Sequence, residues 1–250
     1  MIIESAQNKI FKEALSLNDK KKRDDSGLFL VEGKKQIAEI PADWNIRRIF
    51  VSKDYKEKPS VKNVFILHEK LFNKLASTQS PQGIIAEVEK KNYNIEKIIK
   101  QDGFFIILET IQDPGNLGTI IRSARAFGAK GVFVSKDSAD IYSDKTARSA
   151  MGALFNIAVI DNVDCGSLIS IMKKENIKIF AASLKGKEIT DNAIFKGKTA
   201  LIIGNEANGI KPETQKAADA LIKIPMIKEA ESLNAAIAAS ILMYEAAMTK

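Results

Sequence analysis

The sequence predicts an α/β chain in two parts: a small α/β domain, then a larger one on a mostly parallel sheet. Three observations predict it. Short apolar strands alternate with helix-spaced segments along the whole chain. Several strands beyond residue 104, among them "FFIILE", "GVFVS" and "TALIIG", are apolar throughout, as strands covered on both faces are. A charged stretch, "EKKNYNIEKIIKQDG" at 89–103, breaks the pattern and sets the boundary between domains 1–95 and 104–250.

The elements follow in order. Ile10, Ala14 and Leu17 recur at helical spacing, so residues 5–17 hold a first helix. "NDKKKRDDSG" reads as a charged loop with Lys20, Lys21, Lys22 and Arg23, either a solvated turn or an arm that touches phosphates. "GLFLVEG" is a strand and "KKQIAEI" a helix; "RRIFVS", "NVFIL" and "QGIIAEVE" are further strands. After residue 104 come strand "FFIILE", helix 116–127, strand "GVFVS", a helix near 143–151 and strand "NIAVI". Helix 166–175, strands "IKIFAAS", "TALIIG" and "ALIKIP", and a long helix from 233 complete the chain.

Composition excludes several functions. The 250 residues, 45% hydrophobic, support a packed core. One cysteine, Cys165, leaves no disulfide framework and no cysteine zinc cage. The single histidine, His68, sits where a strand runs into a helix, which removes a Ser-His-Asp triad and a histidine metal site in the second domain. The start turns polar at once, and no apolar run is long enough for a bilayer, so a cytoplasmic setting is expected. The most apolar segment, "LNAAIAASILMYEAAM", carries Asn234 and Glu245 and reads as a buried or interface helix. Net charge is +7. Residues 1–100 hold 20 Lys and Arg against 14 Asp and Glu, while the rest hold 18 against 17. A basic first part beside a near-neutral second suggests a polyanion-gripping module joined to a chemistry module, although surface charge kept for solubility reads the same way.

In parallel α/β sheets, ligands bind beyond the carboxyl ends of the strands, and three loops there stand out. In "DPGNLGTIIRSARAFG", Asn116 is placed to cap the helix, and Arg122 falls nearly opposite the stripe Leu117, Ile120, Ile121, Ala124 and Phe127. In "LIIGNEANGI", Gly204 ends a buried strand, and two asparagines and two glycines allow close backbone approach to a ligand. A tight turn would account for all of it except Glu206. In "IPMIKEAESLNAAIAAS", Ser232 is placed to cap a helix whose stripe Leu233, Ile237, Ile241, Tyr244 and Met248 reads as core.

Together the three loops resemble the signature motifs of the SpoU (TrmH) family of RNA 2′-O-ribose methyltransferases, within the SPOUT superfamily. "DPGNLGTIIRSARAFGA", "GNEANGI" and "IPMIKEAESLNAAIAA" carry the likeness, which covers 104–250 through "RSAMGALFNIAV". Residues from "GLFLVEGKKQIAEI" to "SPQGIIAEV" are similar to the ribosomal-protein-like RNA-binding domain many members carry. The resemblance implies a trefoil-knotted SPOUT domain, S-adenosylmethionine held in the knot, and a homodimer whose sites draw on both chains. It implies cofactor contacts at Gly204, Ile224 and Leu233 with Met226 nearby, and active-site positions at Asn116, Arg122, Glu206, Ser232 and Asn234.

The chemistry so implied needs no metal, because the sulfonium brings its own leaving group. The protein must position the ribose, stabilise charge on its oxygen and see the proton removed. The family's proposed general base falls on Arg122, yet a guanidinium is not deprotonated in proteins. The expectation is that Arg122 orients the ribose phosphate and stabilises the alkoxide, while the proton passes through it, a substrate phosphate or water. Glu206 and Asn116 hold Arg122 and the ribose; Ser232 and Asn234 shape the pocket. Lys228, Arg125 and Ala207 depart from the family pattern without removing a catalytic group. The expected substrate is ribosomal RNA, with tRNA methylation and non-catalytic RNA binding or ribosome assembly as alternatives. A nucleotide-dependent oxidoreductase fails on the missing G-x-G-x-x-G.

Overall fold

The computed structural model describes residues 1–59, 61–189, 191–227 and 231–249. They form two compact units, Met1–Lys91 with Tyr142–Phe155, and Asn92–Ile141 with Asn156–Lys250.

The first unit runs β1 (Ile2–Ile3), α1 (Lys9–Ser16), α2 (Lys20–Ser26), β2 (Leu28–Glu32), α3 (Lys34–Ala38), β3 (Ile46–Ser52), β4 (Val64–Leu67), α4 (Glu69–Leu75) and β5 (Ile84–Glu89). Its sheet has the order β1-β4-β3-β5-β2. β4 pairs parallel with β1 and β3, and β5 antiparallel with β3 and β2. Helices α1 and α4 lay Phe11, Ala14, Leu71, Phe72 and Leu75 over one face, against Phe50 and Ile85. β1 is too short to show a period, yet Ile3 is fully buried on β4.

The run read as a charged loop is helix α2. The Asp19 side chain accepts from Lys22 N, and Gly27 ends the helix at φ 67°. Arg23 turns inward, 7% exposed, and its Nη1 donates to Leu17 O at 2.6 Å. The lysines Lys20, Lys21 and Lys22 stay exposed. His68 is exposed at the start of α4, as read.

The second unit holds α5 (Ile95–Ile99), β6 (Phe104–Leu108), α6 (Pro114–Phe127) and β7 (Gly131–Ser135). The chain then makes α7 (Asp144–Ala150) and α8 (Ala153–Asn156), most of whose residues pack in the first unit. It continues with β8 (Val159–Val163), α9 (Cys165–Lys174), β9 (Lys178–Glu188), β10 (Thr199–Ile203), α10 (Pro212–Ala217), β11 (Ala220–Lys223) and α11 (Ala235–Ala247). The sheet order is β11-β9-β10-β6-β7-β8, every pair parallel. β6, β7 and β10 are buried along their whole length, which is why their sequences do not alternate. Phe105, Ile107 and Ile202 face α9, with Leu168, Ile169 and Met172 over them. Each such side chain contributes ~1.5–3 kcal/mol by leaving water. The boundary stretch 89–103 carries α5, whose Ile98 and Ile99 join that core.

Helix α11 corrects the expected core stripe. Ile237, Ile241, Tyr244 and Met248 are 53%, 36%, 48% and 54% exposed. The buried side is Ala235, Ala236, Ala239, Leu242, Met243 and Ala246. Small alanines let α11 sit close to β10 and α6, and the large side chains Ile237, Ile241, Tyr244 and Met248 are turned outward. Ser123 Oγ meets Ser240 Oγ at 2.8 Å across the α6–α11 contact. Among the described residues no helix is long and apolar enough to cross a membrane.

Candidate functional site

The sheet order reverses between β6 and β10, and the loops leaving these two strands are bonded to each other. Thr110, at φ 57°, gives its carbonyl to Asn205 Nδ2 at 2.9 Å. Asn205 Oδ1 accepts from Ala207 N at 2.9 Å and Asn208 N at 3.0 Å. Asn205 and Gly209 exchange both backbone hydrogen bonds, which makes 205–209 a tight turn with exposed Glu206 near its tip.

Asn116 does not cap α6. The helix starts at Pro114, and the Asp113 side chain caps it by accepting from Asn116 N at 2.8 Å. Proline suits the first helical position, so the helix starts ahead of Asn116 and leaves that side chain free. Asn116 Nδ2 donates to Glu206 Oε1 at 2.8 Å, and Asn116 Oδ1 accepts from Asn234 Nδ2 at 3.0 Å. Ser232 is likewise not the cap of α11. Asn234 is, with Oδ1 accepting from Ala236 N at 2.9 Å and Ile237 N at 3.2 Å. The polarity of this line has no freedom. Asn234 spends its oxygen on the cap, so its amide must donate, and a carboxylate at the far end can only accept.

Beside the line lies a cavity of about 440 Å³. Gly204, Glu206, Ile224, Met226, Ser232 and Leu233 line it, with apolar walls from Ile203, Ile222 and Leu242. Its third side is a bulge in β9. Pairing with β11 jumps from Ala181↔Leu221 to Lys187↔Ile222, and the residues left over, Ser183 to Lys185 among them, turn into the cavity wall. Gly204 is packed tightly: a Cβ there would sit 2.4 Å from Gly209 C and 2.5 Å from Ile210 N.

Arg122 stands apart from this group. It is exposed, does not line the cavity, and has no hydrogen-bond or ion-pair partner among the described residues. Six residues after Asn116, it lies about 9 Å further along the helix axis, on a different face. Arg125 is exposed in the last turn of α6, and Lys228 lies outside the described residues.

Glu109 was missed by sequence reasoning. It is 2% exposed, and its carboxylate accepts from Lys211 N at 2.7 Å and Thr214 Oγ1 at 2.6 Å. It ties the end of β6 to the chain that follows the 205–209 turn. The signal was there: an acidic residue ending a wholly apolar strand. Asn205 was noticed only as a turn former, whereas it joins the two loops. A second cavity, about 370 Å³, lies near Glu109, Ser135, Asp164, Cys165 and Lys211. Burial, with the nearby Glu109 and Asp164 charges, pushes the Cys165 thiol up to about 12 and leaves it an inert neutral group.

Residues 103–244 match the SpoU rRNA Methylase family, and residues 8–86 an MRM3-like substrate binding domain. A 23S rRNA (guanosine(2553)-2′-O)-methyltransferase of Bacillus subtilis is 33% identical, covering 97% of each chain. Among solved structures, the AdoMet-bound rRNA methyltransferase of Sinorhizobium meliloti superposes with a TM-score of 0.87 at 29% identity, over 98% of this chain and 97% of that one. The SpoU methyltransferase AviRb of Streptomyces viridochromogenes, in complex with AdoMet, gives a TM-score of 0.87 at 28% identity, over 97% of this chain and 98% of that one.

Proposed function

Because the chain belongs to the SpoU rRNA methylase family, we propose that it is an enzyme transferring a methyl group from S-adenosylmethionine to the 2′-hydroxyl of a ribose in ribosomal RNA. The observation that carries the reading is the line Asn234–Asn116–Glu206, whose Glu206 end lines the 440 Å³ cavity.

The cavity suits the cofactor. Its volume is that of a small-molecule site, its walls pair apolar side chains with the backbone of a tight turn, and Gly204 keeps that turn close. Gly204, Ile224, Met226 and Leu233 would hold the cofactor, with Ser232 at the edge. When bound, it supplies an electrophilic methyl on a good leaving group. What remains for the chain is to align the ribose and to stabilise charge on its oxygen. Glu206, held by Asn116, accepts hydrogen bonds from ribose hydroxyls. Asn234 locks that arrangement to the start of α11.

Arg122 serves the site of a second protomer, which accounts for its lack of a partner among the described residues of its own chain. The exposed stripe Ile237, Ile241, Tyr244 and Met248 is the matching dimer face, since apolar side chains in a row on a surface helix mark an interface. The C-terminal segment threads the loop region as a trefoil knot. Residues 1–95 grip RNA and the residues that do the chemistry lie within 104–250, in the cytoplasm, where ribosomal RNA is met. Incubation with cofactor labelled in its methyl group and deproteinised 23S rRNA or tRNA tests the reading, followed by mapping of 2′-O-methyl positions. Label on a ribose of 23S rRNA is expected; label on bases, or on tRNA alone, would refute it.

A further inference from the structure

The chain leaves the second unit at Ile141 and re-enters it at Asn156, and everything between packs within the first unit. Two sets of contacts seat this excursion. At its ends, Tyr142 lies 4.6 Å from the Phe29 ring, and Phe155 stands edge-on to Trp44 at 5.1 Å. Trp44 Nε1 also donates to Phe155 O at 3.0 Å. In its middle, Arg148 pairs with Asp144, and its Nη1 donates to Ser77 Oγ at 2.8 Å.

Ser77 passes the contact on. Its hydroxyl and its backbone N–H both donate to Glu32 Oε2 at 2.7 Å. Thr78 N adds a third bond to Glu32 at 3.3 Å and the Thr78 hydroxyl a fourth. Glu32 is 8% exposed. Burial alone would raise its pKa, but the hydrogen bonds outweigh burial and keep the carboxyl below its ordinary value. The carboxylate of β2 and the guanidinium of α7 therefore grip the loop 77–82 from two sides. Past that grip the loop is polar and open, with Gln79 and Ser80 exposed. Gln82 Oε1 accepts from Lys34 N at 2.9 Å, which sets the loop beside exposed Lys34 and Lys35. Amide and hydroxyl side chains beside lysines are the groups that contact RNA phosphates and 2′-hydroxyls.

We infer that Tyr142–Phe155 is an integral part of the RNA-binding unit, and that Arg148 is a positioning residue which, through Ser77 and Glu32, holds the loop 77–82 in the shape that meets the RNA backbone. The inference rests on the RNA methyltransferase reading above. Nothing in the family match, which runs unbroken over 103–244, assigns the segment this place.

The test uses the full chain and a 23S rRNA fragment. Arg148→Ala is expected to raise the KM for RNA about tenfold, the order of a lost charged hydrogen bond, with kcat within about twofold. Cofactor affinity by calorimetry stays at the wild-type value. Arg148→Lys recovers most of the loss. Ser80→Glu, on the open part of the loop, raises the KM without touching the grip. Trp44, the single tryptophan, reports independently, because its emission shifts to the red if the Phe155 end unseats. Wild-type KM in Arg148→Ala and Ser80→Glu overturns the proposal. So does a fall in kcat with KM unchanged, or a loss that Arg148→Lys does not relieve. Failure of the wild type to methylate ribosomal RNA would instead sink the reading of the enzyme itself.

Discussion

Replacing Gly204 by alanine tests the cavity most directly. The added Cβ would meet Gly209 C at 2.4 Å, Ile210 N at 2.5 Å and Gly209 O at 2.6 Å, where ordinary contact starts at 3.4 Å. All three atoms are backbone, so no side chain can swing aside. The 205–209 turn must move about 1 Å to restore a normal separation. Overpacking of this kind costs ~1–3 kcal/mol. If the displaced turn is a cavity wall, that cost appears in cofactor binding as a loss of about 10- to 100-fold. Gly197→Ala is the control. It lies at the other end of β10, at φ 83° with nothing within 4 Å, so it carries only the left-handed backbone cost of ~1–2 kcal/mol. Calorimetric titration with S-adenosylmethionine, paired with thermal melts, separates the two. Gly204→Ala should lose affinity, and Gly197→Ala should lose only melting temperature. Equal affinity in both variants would refute the assignment of the cavity to the cofactor.

Four further outcomes are expected. Asn116→Asp sets a second carboxylate against Glu206, where the amide now donates at 2.8 Å, and should cut methyl transfer by about 10- to 100-fold; single-turnover rates check it. Arg122→Ala should abolish methyl transfer with cofactor affinity unchanged within about threefold, because Arg122 does not line the cavity; wild-type turnover would remove its assigned role. Tyr244→Asp places a charge in the exposed α11 stripe and should give monomers in sedimentation velocity, whereas an unchanged sedimentation coefficient would refute the dimer face. The raised pKa of Cys165 also sets a pH dependence. Its thiol stays protonated in the folded chain up to about 12, while the unfolded thiol ionises near its ordinary value, so the folded state binds more protons in between. Its contribution to stability is complete below the unfolded pKa and is lost as pH rises through that window; iodoacetamide at pH 9 should label unfolded but not folded protein.

Much of this molecule was legible from local pattern. β6, β7 and β10 were found because strands buried on both faces must be apolar at every position. The first two loops were found because glycine and asparagine gather where a backbone turns tightly, and the third because a cap residue precedes an alanine-rich helix. Helix α2 was missed because its buried contribution is one arginine, and a lone inward Arg23 leaves no apolar period. The α11 stripe was assigned to the wrong side because spacing tells which residues share a face, not which face is covered. Both cap assignments slipped by two or three residues. Asp113 and Asn116, like Ser232 and Asn234, are all residue types that cap helices, and only the point where the incoming chain turns helical selects between them.

The sequence by itself determined the fold class, the family likeness and the candidate list of polar residues, since these follow from period, composition and motif order along one chain. The tertiary structure alone decided which of them meet. Asn116 stands 90 residues before Glu206 and 118 before Asn234 in sequence yet bonds to both within 3.0 Å, while Arg122, six residues from Asn116, is carried away by the turn of the helix. It alone also placed Tyr142–Phe155 with the first unit. A hydrogen bond depends on where two backbones are brought, and a chain written as a line does not record which of its distant parts become neighbours.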